Sequence, residues 1–233
     1  MSLEDQVRQY AARYNCREYF VEDPIAGPRH FLDLVSRGEA CLKDVEVAAV
    51  IAAHLAWGRR AMIVRDIRRA YDEMGWRPYD YIMCGEYRSE PISLHRTVMW
   101  SEFAAICTRL RTYLLEHESL ESLSPDGFRT AIYGQKSDPK AANKKIHMMR
   151  RWMVRRDGIV DFGIWRDTDP AGLIIPLDTH VHTQARELGI TSRRATDLRT
   201  ADEITQFFRG IFPDDPCLGD FALFGLGVTE SHR

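Results

Sequence analysis

The sequence contains no CxxC pair, no internal repeat, no low-complexity tract and no apolar run near the roughly 18 to 20 residues that span a bilayer. Its five cysteines, Cys16, Cys41, Cys84, Cys107 and Cys217, are odd in number and widely scattered. Neither a disulfide framework nor a zinc or iron–sulfur site is indicated, so we expect idle thiols, no metal and no cofactor. The opening MSLEDQVRQYAARYNC lacks the basic start, apolar middle and small-residue cleavage site of a signal peptide, and a cytoplasmic protein with no membrane partner is expected. A net charge of −2 leaves no global electrostatic case for nucleic acid. No Gly/Ser-rich linker marks a domain boundary. Strand-type alternation is scarce too. The best candidate, residues 162–175, is short and interrupted by proline, which predicts an all-α fold.

What is present is helical periodicity in a chain whose 45% hydrophobic content can build a sizeable core. In DVEVAAVIAAHLAW, Val47, Val50, Ile51 and Leu55 form a core-facing stripe, with Gly58 as a stop. Ile63, Ile67, Tyr71 and Met74 continue the theme, while Arg65, Arg68, Arg69 and Asp72 face outward. Ser101 is a candidate cap for a helix through Phe103, Ile106, Cys107, Leu110 and Leu114. Thr200 and Glu203 read as a capping box ahead of Ile204, Phe207 and Phe208.

Charge is unevenly spread. Between Lys136 and Arg156 lie Lys136, Lys140, Lys144, Lys145, Arg150, Arg151, Arg155 and Arg156 against the single acid Asp138. With Asp138 as cap and Pro139 at the first position, a helix over 138–156 is predicted. Ala142, Ile146, Met149 and Met153 would face the core. Lys140, Lys144, His147, Arg151 and Arg155 would then form a basic ridge on the opposite face. Like charges at i, i+4 weaken a helix by a few tenths of a kcal/mol per pair, and a negative partner would relieve that. A plain solvated face is the alternative.

Further on, LIIPLDTHVHTQARELGI, residues 173–190, delivers Asp178 from an apolar approach to a helix start. Asp178 can be a carboxylate for chemistry or a simple N-cap, and both remain open here. His180 and His182 are two apart and point in different directions on a helix, which argues against a shared metal.

These parts in this order resemble the helix-hairpin-helix superfamily of DNA glycosylases. There a Val/Leu-Asp-Thr/Val-His segment follows the hairpin, and Leu177-Asp178-Thr179-His180-Val181 matches it; Gly189 falls where the helix should end. Lys144 falls where the bifunctional members carry a nucleophilic lysine, with Lys145 beside it. This local match covers residues 138–228, ending in DFALFGLGV. The whole chain also resembles an uncharacterised bacterial family carrying DPIAGPRHF, DVEVAAVIAAHLAWGRR, PYDYI, HRT, RWMVR, LIIPLDTHV and DFALFGLG, which is similar to archaeal 8-oxoguanine DNA glycosylases. Two departures stand out. The Leu-Pro-Gly-x-Gly turn that grips a DNA phosphate is replaced by Tyr133-Gly134-Gln135-Lys136-Ser137-Asp138-Pro139, a degenerate hairpin, and the trailing cysteine cluster is missing.

The resemblance implies one glycosylase-like unit over residues 1–233, two-lobed, with the basic helix and the Asp178 helix at a cleft. It implies a DNA repair glycosylase with AP-lyase activity that removes a damaged purine such as 8-oxoguanine from double-stranded DNA. Asp178 would stabilise the sugar cation and Lys144 would attack C1′. Lys140, Lys145, His147, Arg151, Arg155 and His180 would hold the DNA. Trp152, Trp165 and Phe162 are candidates for either the flipped base or the core. A monomer associated with the nucleoid is expected. The missing turn favours a different class, a non-catalytic nucleic-acid-binding protein on the same helical scaffold.

Overall fold

The computed structural model describes residues 1–230, and the protein is all-α, with one two-stranded hairpin. Helix α1 (Leu3–Tyr14) leads into a first compact unit, residues 20–137. That unit holds α2 (Ala26–Ser36), α3 (Leu42–Leu55), α4 (Arg60–Glu73), α5 (Pro78–Cys84), strands β1 (Ser93–His95) and β2 (Val98–Met99), α6 (Trp100–Glu116) and the short α7 (Pro125–Gly127). The second unit joins residues 1–19 to the chain from Asp138 onward and contains α8 (Lys144–Val154), α9 (Thr179–Glu187), α10 (Leu198–Ile211) and α11 (Leu218–Glu230).

Helix α3 is the axis of the first unit. Every residue from Val45 to Leu55 is buried, Glu46 and His54 included, so this helix is enclosed all round and not only along the predicted stripe of Val47, Val50, Ile51 and Leu55. Two phenols also bond to carbonyls in its interior: Tyr71 donates to the Ala48 carbonyl at 2.9 Å and Tyr133 to that of Val50 at 3.2 Å. Glu46, buried on the same helix, accepts from the Ser119 hydroxyl and anchors the loop after α6. The α4 stripe Ile63, Ile67, Tyr71 and Met74 is buried as its spacing predicts. The α6 stripe is buried likewise, but its cap is not Ser101: the helix starts at Trp100 with Met99 at the N-cap, because Met99 closes the β-hairpin and Trp100 is already packed inside.

In the second unit α11 is central, and its glycines set how closely its neighbours approach. A Cβ at Gly219 would lie 2.2 Å from the Phe208 ring on α10, one at Gly225 2.0 Å from Tyr14 on α1, and one at Gly227 2.0 Å from His180 on α9. Val7, Ala11, Ile175, Leu177, Val181, Ala185, Ile204, Phe208, Ala222 and Leu223 fill the space between. Gly225→Ala is expected to lower stability by about 1–3 kcal/mol through overpacking against buried Tyr14. Gly210→Ala, on an exposed α10 position with nothing within 4 Å, should leave stability equal or higher. Thermal melts of both variants check the pair, and equal melting temperatures would remove the close-packing role of Gly225.

The capping box read at Thr200 and Glu203 is corrected by one turn. Asp197 is the N-cap, accepting from the Thr200 amide at 2.9 Å, and α10 begins at Leu198. Residues 162–175 form no strand; their amides cap α8 instead, Phe162 and Gly163 donating to the Trp152 carbonyl and Trp165 to that of Met153. Gly163 sits at φ +60°, and a Cβ there would lie 2.7 Å from the Arg155 carbonyl, so that turn requires glycine.

Candidate active site

Two residues chosen 34 positions apart in sequence meet in the second unit. Lys144 is the first residue of α8, and Asp178 is the N-cap of α9, in extended conformation with φ −119°. The Lys144 Nζ lies 3.8 Å from Asp178 Oδ2, both side chains partly exposed at 30% and 41%. The other carboxylate oxygen, Oδ1, accepts from the Val181 amide at 2.9 Å, so the cap fixes the rotamer while Oδ2 faces the amine. Leu173, Ile175 and Leu177 of the approach are buried, which anchors the backbone that carries Asp178. Gly189 follows the helix with φ +71°, as predicted. The Asp178 segment therefore presents an acid at a rigid helix mouth beside a lysine at another.

The basic helix is shorter than predicted and its faces divide differently. It runs from Lys144 to Val154, not over 138–156. Residues 138–143 are committed elsewhere: the Lys140 carbonyl accepts from the Leu198 amide, Ala141 bridges to Asp197, and Asn143 turns left-handed at φ 43°. Lys140 is thus an exposed loop residue, and Asp138 stabilises a turn through the Lys140 amide rather than capping a helix. Ile146, Met149 and Met153 are buried as the core stripe predicts, whereas Ala142 precedes the helix and is only half-buried.

The expected exposed ridge is the larger correction. His147, Arg151 and Arg155 are 4%, 5% and 1% exposed. Arg155 donates to both Asp215 oxygens at 2.9 and 3.0 Å and to Asp161, and reaches Asp157 at 3.0 Å. Arg151 donates to Asp220 and lies 3.4 Å from Asp161. Both guanidiniums stack over Phe221, at 4.6 and 4.9 Å. These charges are occupied by four aspartates and do not face solvent. His147 is buried with Nε2 unpartnered, and burial, with Arg150 nearby, pushes its pKa down to about 4, so at neutral pH it brings no charge to a phosphate. Of the basic residues read from sequence, Lys140 stays exposed, Lys144 and Lys145 are partly exposed, and His180 is exposed at the α9 start, against Gly227. Trp152 and Trp165 are core residues, at 1% and 2% exposure, and Phe162 is half-buried.

One residue near the pair was not read from sequence. Asp220, on α11, is bound by Arg151, and burial raises its carboxyl above the usual range; Asp178 adds to that rise and Lys144 opposes it. Its only sequence signal is an acid inside the otherwise apolar GDFALFGLG. Among the described residues no cluster of His, Cys, Asp and Glu is arranged to hold a metal ion, and no helix is long and apolar enough to cross a membrane.

The fold and this pair define an all-α chain of two compact units, one of which sets a lysine against a helix-capping aspartate. Residues 23–131 and 126–229 match the family described as "Protein of unknown function (DUF2400)", and the chain belongs to that family. No curated protein and no solved structure matches it.

Proposed function

We propose that the protein is a DNA repair glycosylase with AP-lyase activity, acting on a damaged purine such as 8-oxoguanine in double-stranded DNA. The observation that supports this reading is the Lys144–Asp178 approach of 3.8 Å at two helix starts, with both groups open to solvent. Rupture of an N-glycosidic bond builds positive charge on the sugar, and a carboxylate held by its own cap lowers that barrier without reorganising. Lys144, after giving one proton to solvent, attacks C1′ through its amine, a C–N bond forming as the glycosidic electron pair leaves with the base, which takes up the proton the nitrogen then releases. The nitrogen lone pair then opens the C1′–O4′ bond, O4′ taking a proton from water, and leaves a protonated Schiff base. Loss of a C2′ proton then expels the 3′ phosphate. Action on duplex DNA would bring the protein to the nucleoid.

Duplexes carrying 8-oxoguanine or an abasic site, incubated with borohydride, test the reading. Wild type should give a covalent adduct that Lys144→Gln lacks. If the adduct instead disappears only in Lys145→Gln, the nucleophile is the neighbouring lysine. If neither duplex is trapped or cut by wild type, the lyase assignment fails. The second reading, a binder without chemistry, is favoured by the hairpin: residues 134–139 form an open loop without the Leu-Pro-Gly-x-Gly sequence. It would give duplex binding with no released base.

A further inference from the structure

We propose that the outward face of α4, together with Arg96 at the hairpin tip, is a docking surface for the sugar–phosphate backbone of nucleic acid. The surface belongs to the first unit and shares nothing with Lys144 and Asp178. It does not depend on the catalytic reading.

Acids outnumber bases in the chain, 34 against 32, yet from Arg59 to Ala70 there are five arginines and one acid, Asp66. That acid is buried at 1% exposure and its carboxylate carries three partners. Arg65 grips it with two donors, Nε at 2.8 Å and Nη2 at 3.1 Å; Arg69 Nη1 donates at 3.2 Å; and His95 Nδ1 lies 2.8 Å away. Burial raises the Asp66 carboxyl, but Arg65, His95 and Arg69 outweigh it and hold the group below its usual range. One carboxylate cannot neutralise two guanidiniums, so the face keeps a surplus of positive charge.

The geometry is also fixed, which a merely solvated face does not require. Arg65 is tied to Asp66 yet 64% exposed, and Arg69 also donates to the Leu94 carbonyl at 2.7 Å while 42% exposed. Arg96, in a left-handed turn at φ 52°, lays its guanidinium over the Trp57 ring at 4.5 Å. His95 Nε2 meets the Trp57 carbonyl at 2.9 Å, so the hairpin tip is locked to the α4 entrance. Arg59 and Arg68 are exposed and form no ion pair among the described residues; Arg60 reaches Asp23 only at 4.0 Å.

Two features of this face are unfavourable without an anion. The first turn of α4 holds Arg59 and Arg60 and no acid, which sets cations at the positive end of the helix dipole. Arg65 and Arg68, and Arg65 and Arg69, stand at i, i+3 and i, i+4, where like charges repel. A row of phosphates relieves both. From Arg60 to Arg68 the helix rises about 12 Å, long enough to follow consecutive phosphates on one strand. The residues are all arginine, whose planar fork matches phosphate oxygens with paired donors, whereas a lipid surface needs only point charge.

The test is binding of an undamaged duplex by fluorescence anisotropy across a salt series. Wild type is compared with Arg59→Ala/Arg68→Ala/Arg96→Ala, which leaves the Asp66 cluster intact, and with the corresponding triple lysine variant. Each lost phosphate contact should reduce the log–log salt slope by about 0.9, so the alanine variant should lose about 2.7 in slope and about tenfold or more in affinity. The lysine variant should keep most of the slope. An unchanged slope in the alanine variant overturns the proposal, as does tighter binding to phosphatidylserine vesicles or to polyglutamate than to the duplex. Borohydride trapping by the alanine variant at high protein concentration separates the two claims: adduct formed with weakened binding supports both, whereas binding lost in the variant with no adduct from wild type supports this surface alone.

Discussion

Arg155→Ala is expected to lower the unfolding free energy by about 3–5 kcal/mol, the range for removing one partner from a buried ion cluster. The Arg155 side chain is 1% exposed and serves Asp157, Asp161 and Asp215 at once. Asp161 is fully buried, with one oxygen lacking any hydrogen bond even in the intact network. Arg151 alone cannot replace the lost cation, because it is already committed to Asp220 and approaches Asp161 only at 3.4 Å. The variant therefore strands carboxylates in low dielectric, and the Phe221 ring loses one of its two stacked guanidiniums. Urea denaturation followed by circular dichroism measures the loss. A second variant, Arg155→Met with Asp161→Asn, removes charge of both signs and should recover part of it. If Arg155→Ala unfolds within about 1 kcal/mol of wild type, the cluster is open to water and does not hold α8 in place.

That cluster also explains which parts of the molecule could be read from sequence. The stripes of α4 and α6 follow from spacing over a few residues, the cap at Asp178 is one of two readings of that acid and the stop at Gly189 comes with the family resemblance, and the structure keeps them. Helix α8 failed where charge was equated with exposure. Arg151 and Arg155 take their partners from Asp215 and Asp220, which lie 60 to 69 residues downstream and carry no local pattern. Asp157 and Asp161 were the only nearby hint. The helix start failed for a similar reason, since the Ala141–Asp197 bridge joins residues 56 apart and outcompetes a local Asp-Pro start. The approach of Lys144 to Asp178 follows from none of the periodicities. It was expected from the family resemblance alone, and the distance between them comes from how α8 and α9 are placed.

Asp178→Asn should separate the two roles of that acid more sharply than any other substitution. Asparagine caps a helix about as well as aspartate, and the Val181 amide keeps an acceptor, so stability should change by only a few tenths of a kcal/mol. The lost ion pair with Lys144 adds little, because both groups are partly exposed and such pairs contribute about 0–1 kcal/mol. Asp178→Ala, by contrast, removes the cap and should lose about 1 kcal/mol. Activity should not follow that order. Without the negative charge the sugar cation loses its fixed counter-ion, and single-turnover release of 8-oxoguanine should fall about 100-fold or more in both variants. Wild-type release by Asp178→Asn, at unchanged stability, would make Asp178 an N-cap and nothing else. A large loss of release with the melting temperature held would tie its charge to the chemistry, since the fold would have changed by less than the error of the melt.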